Sequence, residues 1–346
     1  MKKFMVTFFL LFIFIIPRIT FLTPDKNISA IENKILQQLP DLSLDNILSK
    51  RFIKNFDKYV SDQFTLKVGF IKVKNIYSYL IGSREFRNVY LSKYNRLLEK
   101  FSFNKNICNS NIKNISKVVR YLKANYSINS KLMVIPTSIA FYEDQLYEYM
   151  ISDSQLKSLK YIEGKFMNLS NSNFFYSPFD IWEKNKDKYI YFNTDHHWTQ
   201  LGAKLAYEDM YKNKILDPPL PVSNDFYGTY YSKTILDFIK PDTIFAYKGY
   251  SNYKLSVDFN YKYNTLYDES KLKDKNKYQY FLHGDPSIGT IEGNKNINKE
   301  ILIFKDSFAH TFIPFLTLNY SKIHFIDPRY CKLDLDSYLS ENNNIT

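Results

Sequence analysis

ILIFKDSFAHTF (residues 301–312) is the stretch whose reading decides the fold. Four apolar residues, Ile301 to Phe304, read as a strand with Glu300 at its head. The polar turn Lys305-Asp306-Ser307 follows, and FAHTFIPFLTLN (308–319) is then largely helical in pattern. KIHFID (322–327) returns to strand. Strands alternating with helices predict an α/β domain with a mainly parallel sheet.

The alternation extends upstream. NVYLS (88–92) is strand-like, and NIKNISKVVRYLKAN (111–125) spaces Ile112, Ile115, Val119 and Leu122 for a helix. KLMVIP (131–136) is a short buried strand ending at Pro136, and a helix is expected near 153–164. TQLGAKLAYEDMYK (199–212) is a helix with Thr199 placed to cap it and Gly202 allowing close packing. The stretch 214–280, rich in Tyr, Lys, Asp and Pro with weak periodicity, reads as an insertion of loops and short strands. The tail ENNNIT is expected to fray.

Before this main domain (86–340) lie two other segments. Residues 1–23 carry Lys2 and Lys3 and then the 13-residue apolar run FMVTFFLLFIFII. With no small-x-small cleavage site after it, the segment reads as an uncleaved signal anchor, Arg18 snorkelling, in preference to a cleaved signal peptide. Lysines ahead of the run keep the N-terminus cytoplasmic and put the rest outside, at the cell membrane. Residues 24–85 read as a polar, helix-prone linker (23–43) and a helical arm. In the arm Leu48, Phe52, Phe56 and Val60 recur every four residues on one helix face, and VGFIKVKNIYSYLIG (68–82) continues as a second helix.

The chain has 346 residues, of which 45% are hydrophobic, enough for a sizeable core. Its 30 Tyr and 29 Phe are read as core rings, with stacking on sugars as the other use. The formal net charge of +12 is spread along the chain, which argues against a nucleic-acid face. Cys108 and Cys331 are read as two free thiols in preference to one bridge, which spacing alone does not decide.

Chemistry is sought first at Ser307, predicted at the C-terminal edge of a strand and the start of a helix. Ligand sites of open α/β sheets gather there, and backbone N–H groups at a helix start stabilise an oxyanion. An N-cap role for Ser307 stands beside this, and Asp306 either caps or braces the turn. A serine nucleophile needs a base, and the base needs a carboxylate to fix its tautomer. YFNTDHHWTQLGA (191–203) offers both. In an extended segment Asp195 and His197, two apart, face the same side, while His196 points away towards structure or substrate. Adjacent histidines rarely face one metal ion, and no further His or Cys pair adds ligands, so no metal or other cofactor is expected. His283, His310 and His324 read as structural.

TDHHWTQLGA and KDSF, in that order, are similar to the signature of the DHHW family, which looks like the SGNH/GDSL-type domains of alginate O-acetyltransferases. Weaker matches are FDKYVSDQF (56–64), VIPTSIAFYED (134–144), NDFYGTYYSK (224–233) and DPRY (327–330), so the resemblance covers roughly residues 50–331. It implies an SGNH hydrolase-like, flavodoxin-like three-layer fold with nucleophile Ser307, base His197 and orienting acid Asp195. It places His196, Trp198, Tyr227 and Arg329 in matching motifs as candidates for substrate binding or packing. The glycine and asparagine that complete the family's oxyanion hole have no clear counterpart, leaving the Ser307 N–H as nominee. The implied activity is extracytoplasmic O-acetyl transfer to an exported polysaccharide, such as an exopolysaccharide of a biofilm, beside a multi-pass membrane O-acyltransferase that supplies acetyl groups. A polysaccharide acetyl esterase and a non-catalytic polysaccharide-binding scaffold are the alternatives.

Overall fold

The computed structural model describes residues 2–29, 31–32, 34–170 and 174–345. Met1 of the expected anchor and Thr346 of the expected tail lie outside the described residues. The chain divides into two compact units, one running up to Arg87 and including Tyr231–Lys240, the other comprising Asn88–Tyr230 and Pro241 onward.

The first unit is mostly helical. Helix Lys2–Leu22 is long and apolar enough to cross a membrane, with a mean hydropathy of 2.3 over Lys3–Leu22. The described residues of the linker are not helical as its composition suggests. Ile28–Ser29 pairs antiparallel with Lys34–Ile35, and the side chain of Asp62 accepts from Lys34 Nζ at 2.6 Å and from the Gln37 N–H at 3.1 Å. These tertiary hydrogen bonds override a weak helix propensity. The predicted arm helix is broken into Leu44–Leu48 and Arg51–Gln63, because Lys50 takes a left-handed φ of 57° between them. Helix Lys67–Leu80 follows, and within this unit Tyr79 packs on Phe238 while Lys72 pairs with Asp237 at 2.8 Å.

In the second unit a five-stranded sheet runs in the order Tyr261–Tyr263, Leu255–Val257, Ile288–Glu292, Lys322–Ile326, Glu300–Phe304. The last two strands pair in parallel, Glu300 opposite Lys322 and Phe304 opposite Ile326. The other three pairings are antiparallel, so the expectation of a mainly parallel sheet is corrected to a mixed one. The reason is local. Three residues link Val257 to Tyr261, two of them, Asp258 and Phe259, at φ 48° and 65°, and so short a link joins only antiparallel neighbours. The stretch 214–280 therefore builds sheet and core, with Leu255, Leu266, Tyr267, Tyr278 and Tyr280 buried. The parallel pair needs a crossover, and FAHTFIPFLTLN supplies it as a 3-10 turn, Ser307–Thr311, and one short helix, Ile313–Leu316, rather than one continuous helix.

Helices Lys105–Tyr126, Gln155–Ser170 and Gln200–Tyr211 lie where apolar periodicity places them, each running past or short of the predicted ends. Asn104 caps the first and Thr199 the third, its Oγ1 accepting from the Gly202 N–H at 3.3 Å. The core is heavily aromatic: Trp182, Tyr191, Trp198, Tyr207, Phe281 and Phe315 are all buried in one cluster. The tail does not fray as far as Ile345, which is buried with Leu122, Ile128 and Leu339 and bridges to Glu300. Cys108 and Cys331 are both free.

Gly202 is where the helix Gln200–Tyr211 meets the chain ahead of it. A Cβ there would lie 2.5 Å from the Ile190 carbonyl oxygen and 3.3 Å from Trp198 Cβ. Backbone cannot yield as a flexible side chain does, so Gly202→Ala should destabilise this unit by roughly 2 kcal/mol, overpacking outweighing the gain in helix propensity. Urea unfolding measures this, and an unchanged or raised midpoint would contradict the packing described.

Candidate active site

Ser307 follows directly on the strand Glu300–Phe304 and its polar turn, as predicted. Asp306 takes the N-cap position instead, its side chain accepting from the Phe308 N–H at 2.9 Å. That division of labour leaves the Ser307 hydroxyl for another partner. His197 Nε2 lies 2.9 Å from Ser307 Oγ, and His197 Nδ1 lies 2.5 Å from Asp195 Oδ1. Three groups predicted from two segments more than a hundred residues apart thus form one hydrogen-bonded line.

The line does not arise from an extended strand. Residues 193–197 form a bend, and Asp195 Oδ1 accepts from the His197 backbone N–H at 3.0 Å as well as from its ring. The pairing of Asp195 with His197 is as expected, but its cause is this turn and not alternation. His196 does not point away either. Its ring lies against that of His197, centroids 3.7 Å apart, and its Nδ1 is 2.7 Å from Thr229 Oγ1.

Asp195 is buried, so its second oxygen also needs a donor. The Thr229 N–H supplies it at 2.7 Å from Oδ2. A Cβ on Gly228 would overlap both Asp195 Cβ and Oδ2, so glycine at 228 is a matter of space. Burial pushes the Asp195 carboxyl up, but the two neighbouring histidines outweigh it and hold the group well below its ordinary range. For His197 burial wins over the attraction of Asp195, and its value falls below the ordinary 6.5. An ionised Asp195 beside a neutral His197 is the state a general base requires.

A second buried carboxylate, Asp242, holds the bend from beneath. It accepts from the N–H groups of Asn193 and Thr194 at 2.8 and 2.7 Å, from Thr194 Oγ1 at 2.5 Å and from Tyr189 Oη at 2.6 Å. Burial raises it, opposed by these four bonds. Asp242 and Tyr278, whose ring stacks on His197, are absent from the sequence reading. Nothing in a weakly periodic stretch marks either. Gly228 and Thr229 fall inside NDFYGTYYSK, which is singled out as a motif without a role for these residues.

The remaining candidates separate. Of the two uses named for Trp198, substrate contact and packing, its surroundings are those of packing. It is 1% exposed, and its indole N–H donates to the Phe308 carbonyl at 2.7 Å, which leaves no face for a ligand. Arg329 is half exposed and gives a two-point contact to buried Asp327, at 2.9 and 2.6 Å. Tyr227 is half-buried beside Gly228. His196 keeps part of its side chain accessible at the rim. The expected helix dipole behind Ser307 is small, since only a five-residue 3-10 turn follows, though as its first residue Ser307 has an N–H with no acceptor in that turn. Asp195, His196 and His197 each offer a ligand atom within 4.8 Å of the others. A metal ion bound through the two Nδ1 atoms would displace the Asp195–His197 and His196–Thr229 hydrogen bonds.

A family model described as DHHW protein matches residues 86–326. Among solved structures, a DHHW family protein from Eubacterium siraeum DSM 15702 aligns at 24% identity over 75% of this chain and 87% of its own, with a TM-score of 0.59. Bacillus cereus PatB1 aligns at 19% identity over 74% of this chain and 92% of its own, also at 0.59, and has been solved with a sulfonyl adduct as well. The O-acetyltransferase domain of Pseudomonas putida AlgJ fits loosely, at 14% identity and a TM-score of 0.39, over 74% of this chain and 99% of its own. No protein of curated function matches the chain. The likenesses to the DHHW family protein and to PatB1 establish a shared fold.

Because Asp195 depends on the space at Gly228, Gly228→Ala should displace the carboxylate and break its short bond to His197. The downfield proton resonance of the His197 imidazole should vanish from the NMR spectrum, and its persistence would contradict this packing. Stability should also respond to pH in a stated direction. His197 has its folded value below 6.5, so between the two values the unfolded chain binds the proton and the folded chain does not. Its contribution to stability therefore grows as pH rises through that window to 6.5. Replacing His197 by Gln should flatten that part of the stability curve.

Proposed function

The chain belongs to the DHHW family, and from that premise and the geometry at Ser307 we propose that it is a serine-dependent O-acetyltransferase. It acts outside the cell membrane on hydroxyls of an exported polysaccharide. The observation that carries the reading is the unbroken line from Asp195 through His197 to Ser307, at 2.5 and 2.9 Å.

The chemistry follows from the groups in that line. His197 Nε2 takes the proton of Ser307 as Oγ attacks the acetyl carbonyl carbon of the donor ester. Ionised Asp195 holds Nδ1–H and stabilises the imidazolium that forms. The Ser307 N–H donates to the oxyanion. Collapse expels the donor's oxygen, which leaves with the proton from His197, and acetyl-Ser307 remains. A sugar hydroxyl then attacks the acetyl carbon while His197 takes its proton. Collapse of that intermediate releases the acetylated sugar and returns Oγ, reprotonated by His197.

The location rests on the N-terminal helix. A signal anchor with lysines on the cytoplasmic side puts the Ser307 unit beyond the membrane, where an exported polymer passes. A multi-pass membrane O-acyltransferase is the partner proposed to bring acetyl groups to it.

The purified protein, given an acetyl ester with and without acetylated-polymer precursors as oligosaccharides, should yield acetylated sugar. Release of acetate alone would make it an esterase. Ser307→Ala should lower turnover by at least about a thousandfold without loss of folded protein. Unchanged surface acetylation in cells carrying this variant would favour the scaffold alternative.

A further inference from the structure

The base of the proposed triad is held in its own plane by Asp195, but an edge-on hydrogen bond does not stop the ring from tilting. The stop is a flat surface on its face. Tyr278 supplies one: its ring lies 3.7 Å from that of His197, centroid to centroid, with only 7° between the planes. Two other rings flank the imidazole at steeper angles, His196 at 39° and Phe308 at 54°. The Tyr278 hydroxyl, meanwhile, donates to the carbonyl oxygen of Ser307 at 3.1 Å. One side chain thus touches the plane of the base and the backbone of the nucleophile.

Tyr278 is itself fixed. It is buried, edge-on to Phe192 and Phe281, with the ring of His310 behind it at 6.0 Å. It sits in the 3-10 turn Lys277–Tyr280, and Lys277 pairs with Asp225 at 3.3 Å. A side chain that served only to fill space would need neither near-parallel stacking nor a polar end directed at the nucleophile's own carbonyl.

We propose that Tyr278 is a positioning residue of acyl transfer, setting the tilt of His197 with its ring and the register of Ser307 against His197 with its hydroxyl. The proposal deepens the reading of Ser307, His197 and Asp195 as the reacting line and rests on it. Its physical basis is that a nucleophile and base must meet within a fraction of an ångström, and displacement of about 1 Å costs roughly a hundredfold in rate.

The test uses the full chain in detergent with two probes: turnover of 4-nitrophenyl acetate, and the rate at which phenylmethylsulfonyl fluoride sulfonylates Ser307, read by mass spectrometry. In the second probe Oγ bonds to sulfur, fluoride leaves and His197 takes the proton. Tyr278→Leu removes the flat face and the hydroxyl but keeps apolar bulk. It should lower kcat and the sulfonylation rate by roughly a hundredfold while KM stays within about threefold. Tyr278→Phe keeps the face and loses only the hydroxyl, and should recover most of that loss, to within about tenfold of the natural protein. Tyr278→Leu with both rates within about threefold of the natural protein, while Ser307→Ala is inert, would overturn the positioning role alone. Ser307→Ala retaining full turnover would overturn the reacting line and this proposal with it. Should Tyr278→Leu fail to unfold cooperatively, Tyr278→Met replaces it as a variant that likewise removes the flat face and the hydroxyl while keeping apolar bulk. Full activity in Tyr278→Phe would dismiss the hydroxyl's part, and a hundredfold loss in Tyr278→Phe, equal to that of the variant without a ring, would dismiss the ring's.

Discussion

The structure turns on one buried carboxylate. Asp195 is 2% exposed, and a carboxylate so deep survives ionised only when its oxygens are fully engaged. Oδ1 accepts twice from His197, and Oδ2 accepts from the Thr229 N–H. These bonds dictate the rest. They demand a bend at 193–197, which Asp242 secures from below, and they demand an empty space at 228, which only glycine leaves. The result is an imidazole whose Nε2 has a single direction to face.

What lies in that direction is fixed by a second set of contacts in step with the first. His197 meets Ser307, and Trp198 meets Phe308, each pair 110 residues apart. The two segments are therefore joined in register at successive residues. Behind them, parallel pairing of Glu300–Phe304 with Lys322–Ile326 brings Lys305 and Asp327 side by side at the strands' C-terminal ends. Lys305 is wholly buried, 3.7 Å from Asp327 and 2.9 Å from His310 Nε2. Burial first, and then the Lys305 charge, drive His310 well below its ordinary value, so its ring is neutral and accepts from the ammonium. Arg329 completes the pairing of Asp327 from the solvent side. KDSF and DPRY are thus two halves of one charged brace beneath the serine.

Much of this was legible from the residues, and the exceptions have physical reasons. Glu300–Phe304 and Lys322–Ile326 are short apolar runs bounded by polar turns, and Gln200–Tyr211 announces itself by its Thr199 cap. The direction of the sheet was not legible, because the strands at 255–263 and 288–292 interrupt no strong pattern and their hairpin is set by two residues at positive φ. The union of Asp195 and His197 was readable from chemistry, while the bend that creates it was not, since it depends on Asp242 nearly fifty residues away. Asp306 relieving Ser307 of the capping role was open between two neighbours of similar capping strength. Tyr278 was invisible for a plainer reason: a tyrosine among 30 acquires its meaning only from the ring it lands on.

The central claim is that Ser307 carries the acetyl group between donor and sugar. The direct measurement is to expose the full chain to an acetyl donor, quench in acid, and locate the acetyl mass by peptide sequencing, with and without an oligosaccharide chase. The account predicts one acetyl group on Ser307, lost when oligosaccharide is added and absent from the His197→Gln protein. An acetyl group found on another residue, or acetylated sugar formed with Ser307 unmodified at every time point, would contradict it.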